Sequence, residues 1–171
     1  TYFVTPQGSA RYTLPVVSLS ITESKFFEYN DGIFVAGKDF DDWRAANPTV
    51  DADFSSVNEN EENANYYRIS DNEEQKGHLS YFVGGQEVLN QDIGIEVNGG
   101  NSRNFQSKAL RLIARSEYGN DKMSYPFFAN ENYNSYKRLL LRNSGQDFRS
   151  TTFRDGLFHT LVEKLNTETK S

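Results

Sequence analysis

The chain has no cysteine, one methionine, one tryptophan and two histidines in 171 residues. Without cysteine there is no disulfide framework, no thiolate metal site and no thiol nucleophile, and His78 and His159 lie too far apart in sequence to announce a zinc site. No apolar run approaches the roughly 18 residues of a membrane-crossing helix, so no membrane insertion is expected. Positive charge is also scarce: 18 Lys and Arg stand against 24 Asp and Glu, for a net charge of -6 and a pI near 5.0. That balance argues against nucleic-acid partners and anionic membranes, which need a basic face.

Hydrophobic residues make up 36% and the mean hydropathy is -0.72, values that would point to disorder but for 13 Phe and 10 Tyr. Aromatic side chains bury large surfaces, so the composition predicts a folded chain. Its length suits a single domain over residues 1–171. The chain starts at Thr1 without an initiator Met or a signal peptide, which reads as a segment of a longer protein.

Apolar and polar residues alternate over Thr13 to Ile21, the pattern of a half-buried strand. Asn30-Asp31-Gly32 between apolar flanks predicts a tight turn. His78 to Val83 reads as a strand ending at Gly84-Gly85, with the next strand resuming near Glu87. In Asp92 to Val97 the residues Ile93, Ile95 and Val97 alternate cleanly; the loop Asn98 to Arg103 follows, and alternation returns over Lys108 to Arg115. Parity places Lys108, Leu110, Leu112 and Ala114 on one face of that strand, and Arg111, Ile113 and Arg115 on the other. Lys137 to Arg142 reads as a further strand.

Thr152 with Asp155 three residues on fits a capping box, after which Phe153, Leu157, Phe158, Leu161, Val162 and Leu165 recur at helical spacing. Arg154 falls near the middle of that apolar arc and needs a partner, for which Asp147 in the preceding turn is available. Strands first and a helix last predict an α+β fold: a mostly antiparallel sheet with a C-terminal amphipathic helix.

Between these elements, residues 39–66 are dense in Asn, Asp and Glu. They read as a short capped helix near Trp43 followed by a long acidic, Asn-rich surface loop, with 58–65 its most mobile part. Asp39, Asp41, Asp42, Asp51 and Asp53 invite thoughts of calcium, but the spacing lacks the alternating ligands, central Gly and closing Glu of an EF-hand. No metal ligand is assigned.

The segment Gln91 to Arg103, followed by Lys108 to Gly119, resembles the CotH kinase family of spore-coat and cell-surface proteins. Further pieces agree in order: Leu14 to Leu19, Gly32 to Val35, Tyr125 to Phe128, Leu141 to Gly145, and Thr152 to Asp155. The chain departs from many relatives at Gln106-Ser107, where they carry Pro-Gln, and at Lys76-Gly77. The resemblance implies the amino-terminal half of an atypical kinase fold, ATP and Mg2+ as cofactors of the full-length parent, and spore-coat or surface proteins as Ser/Thr acceptors. It further implies a secreted, cell-surface or spore-coat location, and catalytic and metal-binding aspartates further along, so no catalytic residue is expected within the 171 residues.

Phosphoryl transfer needs cations on the phosphates, carboxylates on the metal, and a base or orienting acid for the acceptor hydroxyl. The first is present. Gly99-Gly100 permits close backbone approach to an anion, with Ser102, Arg103 and Lys108 as donors, although by pattern alone an ordinary hairpin turn is the plainer explanation of the glycines. Lys108 on an apolar strand face is costly unless it is paired, bound to a ligand or snorkelling to the sheet edge, which makes it the leading phosphate candidate. Arg103 and Arg111 follow, with surface ion pairs as their plainer explanation. Asp155 could pair with Lys108 as a helix acid pairs with a strand lysine in ordinary kinases, but the capping box already accounts for it. The alternative for the whole chain is a non-catalytic surface or adhesion module, given its many Tyr, Phe and Asn.

Overall fold

The computed structural model describes residues 6–49, 63–68, 73–128, 131–147 and 150–164. Five strands form one antiparallel sheet in the order β1 (Val16–Ile21), β2 (Gln75–Val83), β3 (Gln86–Asn98), β4 (Ala109–Ile113) and β5 (Arg138–Leu141). Two short helices, α1 (Glu23–Phe26) and α2 (Gly37–Ala46), lie between β1 and β2, and α3 (Arg154–Lys164) follows the sheet. The expected α+β class holds, with an antiparallel sheet and a C-terminal helix.

Gly84 and Gly85 both have positive φ, 57° and 80°, and close the β2–β3 hairpin. Two consecutive left-handed residues match the right-handed twist of paired strands, a conformation only glycine adopts cheaply. What looked like a strand at Asp92 to Val97 is the inner part of the thirteen-residue β3.

The alternation along β3 and β4 sorts the sheet into two faces. Ile95 opposes Leu112 and Val97 opposes Leu110, and this face joins Phe26, Ile33, Leu79, Ile93, Ala114 and Met123 in the main core. The predicted parity of Leu110, Leu112 and Ala114 is therefore observed. The other face is polar: Asp92 binds Lys76 Nζ at 2.8 Å and lies 2.8 Å from His78 Nδ1, while Glu96 pairs with Arg111 directly across the ladder.

A second, smaller core packs Phe40 of α2 against Ala64, Tyr66 and Tyr67. Asn65 ties it together. Its amide nitrogen donates to Tyr29 O (2.9 Å) and Asn30 O (3.2 Å), and its carbonyl oxygen accepts from the backbone N–H of Asp39 (3.2 Å). Arg68 holds Asp39 through two bonds of 2.7 and 2.9 Å. Gly37 sits in this junction with φ of 60°, where a Cβ would collide with Tyr29 O and the Asn65 amide.

The stretch 39–66, read as helix and surface loop, divides differently. Residues 39–46 belong to α2, and Asn63, Ala64, Asn65 and Tyr66 are buried. The reason is that Asn65 finds backbone partners for its polar atoms, so burying it leaves no unmet hydrogen bond. Asp51, Asp53 and the rest of 50–62 lie outside the described residues.

The start of α3 also differs from the capping-box reading. Thr152 has φ of 62° and turns its hydroxyl onto Thr151 O, so it cannot cap the helix. The cap is Asp147, whose carboxylate accepts from Arg154 N–H (3.1 Å) and from Thr151, and pairs with the Arg154 guanidinium at 3.3 Å. The anchoring of Arg154 to Asp147 is thus observed. The side chain of Asp155 lies outside the described residues.

Candidate functional site

The sheet and the α2 core meet at a cleft of about 1340 Å³. Its aromatic wall comes from Phe27, Tyr29, Phe34, Phe40, Tyr66 and Phe105, and its charged groups are Lys108, Arg44 and Asp41. Lys108 is the last residue before β4, which carries its side chain off the sheet edge and into the cleft.

Lys108 Nζ donates to Phe105 O at 2.8 Å and lies 4.3 Å from the Tyr66 ring centre and 5.3 Å from that of Phe34. Among the described residues no carboxylate pairs with it. Burial pushes its ammonium down to about 8, because the charged form loses water without gaining a counter-ion. The negative ring faces pull the other way by about 0.5–2 kcal/mol, which keeps the ammonium tenable in so apolar a place. An anionic ligand would replace the missing counter-charge.

Arg44 lies over the Phe40 ring at 5.8 Å and likewise has no carboxylate partner among the described residues. Asp41, the one acid among the described residues of the cleft, is engaged by Tyr29, whose hydroxyl donates to it at 2.9 Å; that bond raises the Tyr29 phenol above its ordinary value. Tyr66 is 4% exposed and its hydroxyl finds no hydrogen-bond partner among the described residues. Burial pushes that phenol upward too, so it stays protonated.

Of the six residues singled out by sequence, only Lys108 lines the cleft. Gly99 and Gly100 lead into the 3-10 turn Asn101–Asn104, whose ends, Asn101 and Asn104, form part of the rim. Ser102 folds back over Gly99, where it occupies the space a Cβ would need. Arg103 turns inward: Nε donates to Gly99 O (2.5 Å) and Nη1 to the carbonyls of Tyr66 (3.1 Å) and Arg68 (3.3 Å), with Glu73 3.6 Å away. It holds the glycine turn against the Asn65 segment and so positions Tyr66 beside Lys108. Arg111 lies on the opposite, polar face, paired with Glu96 and Asn98.

Phe34, Tyr66 and Arg44 are among the cleft residues that the sequence did not mark. They come from segments far from Lys108 in the chain, and nothing local ties them to it. Magnesium needs several clustered oxygen ligands. The single carboxylate Asp41, already held by Tyr29, does not fit that requirement, and among the described residues no group of three His, Asp or Glu side chains does. A nucleotide fits better, since the aromatic walls suit a base and the two cations, without a carboxylate partner among the described residues, suit phosphates. No protein-family model matches the chain, and neither a curated protein nor a solved structure is significantly similar to it.

Proposed function

We propose that the chain is the nucleotide-binding, amino-terminal part of a CotH-like protein Ser/Thr kinase that acts outside the cell, at a cell surface or on a spore coat. The observation that carries this reading is the Lys108 ammonium, half-buried in an aromatic cleft with no carboxylate partner among the described residues. In this reading Lys108 and Arg44 neutralise the phosphates of ATP and the exposed rings of the cleft wall, Phe27 and Tyr29, hold its base. Gly99, Gly100, Ser102 and Arg103 support the cleft from behind, and Arg111 stands apart. The metal ligands and the base for the acceptor hydroxyl come from further along the parent, so the 171-residue chain alone transfers no phosphate.

The test is calorimetric titration of ATP with magnesium into the chain and its Lys108→Ala variant. Saturable binding that the variant loses by about tenfold or more, the worth of one charge-assisted contact, is the expected result. Equal binding by both forms would remove Lys108 from the site, and no binding by either would remove the site. Affinity should also fall as pH rises through about 8, where the amine loses its charge.

A second reading is a non-catalytic interaction module. It is favoured by the aromatic and aliphatic groups left in solvent at Phe128, Tyr133, Phe153, Leu157, Phe158 and Leu161. A glycan array and a pull-down against surface proteins that both came back empty would count against it.

A further inference from the structure

The cleft holds a second kind of chemistry besides charge neutralisation. An amine attacks carbonyl carbon only through its uncharged form, and the groups that usually suppress that form in lysine are water and a neighbouring carboxylate. Lys108 has little of the first and, among the described residues, none of the second. The contrast with other lysines is plain. Lys76 is held by Asp92 at 2.8 Å and Lys38 by Asp42, which raises its pKa, while Lys25, Lys122 and Lys137 stand in solvent.

The cleft also has the shape of a binding site for what the amine would attack. Nζ already covers the faces of Tyr66 and Phe34, at 4.3 and 5.3 Å from their centres, but Phe27 and Tyr29 line the same cleft 54% and 49% exposed, so a conjugated carbonyl compound can lie on them while its carbon meets the nitrogen. Arg44 lines the same cleft and has no acid partner among the described residues, so it can take an anionic substituent. We propose that Lys108 is a nucleophilic amine that forms an imine with aromatic aldehydes carrying an acidic group, the ring lying against Phe27 and Tyr29 and the acid against Arg44.

The reaction is a condensation with no redox step. The Nζ lone pair adds to the aldehyde carbon, and the carbonyl oxygen takes up one proton from nitrogen to give a carbinolamine. The C–O bond then breaks, the oxygen leaves as water with the second nitrogen proton, and a C=N bond remains. The lowering of the Lys108 ammonium to about 8 makes the free amine available near neutral pH. This assignment does not depend on a nucleotide, and the two stand or fall separately.

The experiment treats the full 171-residue chain at pH 8 with pyridoxal 5′-phosphate, traps the imine with borohydride and maps the modified lysines by peptide mass spectrometry. Pyridoxal without the phosphate serves as a parallel probe. Labelling at Lys108 should exceed that at Lys25, Lys76, Lys122 and Lys137 on the order of tenfold, from the larger fraction of free amine. Lys108→Arg should abolish the preferred adduct, and Arg44→Ala should erase the advantage of the phosphorylated probe over pyridoxal. Labelling spread evenly over the surface lysines, or none at Lys108, overturns the proposal whatever ATP does. Selective labelling in a chain that binds no ATP keeps this proposal and discards the nucleotide reading.

Discussion

The Asn65 segment and helix α3 invert each other. One is polar in sequence and buried in the fold: Asn63, Asn65, Tyr66 and Tyr67 are each less than 5% exposed. The other carries a regular apolar series and leaves it outside, with Phe153, Leu157, Phe158 and Leu161 between 46% and 61% exposed. The difference lies in what each segment meets. Asn65 satisfies its amide on the carbonyls of Tyr29 and Asn30, so its burial costs little; α3 is fastened by Asp147 at its first turn. Periodicity states that a segment can present an apolar face, and a polar run states only that its groups need partners.

Substitutions on the two sides of this contrast should differ in size. Leu112, 1% exposed at the centre of the sheet, sets the scale: Leu112→Ala should cost about 2–5 kcal/mol by urea unfolding. Asn65→Ala should cost about 2 kcal/mol or more despite removing a polar side chain, because it strands the buried groups it serves. A cost near zero would mean that the junction is solvated and the comparison false.

Asp147→Ala should cost about 1 kcal/mol and lower the helical circular-dichroism signal, as loss of a helix cap does. Hydrogen bonds from Thr151 hold this carboxyl below its ordinary value, ahead of the opposing effect of burial. Its stabilisation is therefore complete above the unfolded carboxylate value of about 3.9 and is lost as pH falls through the lower folded value. The variant should lack that acid-limb component. Smallest of all, Leu157→Ser with Phe158→Ser should change stability by no more than about 0.5 kcal/mol while reducing the binding of a hydrophobic dye. A large loss would show that α3 is covered in solution.

Much of the sheet was legible because strands announce themselves locally. The alternation Ile93, Ile95, Val97 and the Gly84-Gly85 turn needed no distant information. The cleft was legible at one residue, since parity alone put the charge of Lys108 on an apolar face. Its walls were not legible, because Phe34 and Tyr66 reach Lys108 only through the Asn65 junction. Arg103 shows the opposite failure: a cation beside a glycine turn looks like a phosphate ligand, yet its guanidinium is spent on three carbonyls. Sequence gives the donor, and only the fold shows what accepts from it.

The unbroken order of the five strands has a kinetic consequence. β2 and β3 are joined by two residues, so their pairing requires almost no loop closure, whereas β1 must wait for a connection running from Ile21 to Gln75. Closure entropy grows with loop length, so the hairpin should form early and β1 should add late, together with the Asn65 junction carried in that connection. Gly84→Ala should then slow folding, while Asn65→Ala should leave the folding rate nearly unchanged and speed unfolding. The cleft around Lys108 would be the last part of the molecule to exist and the first to be lost.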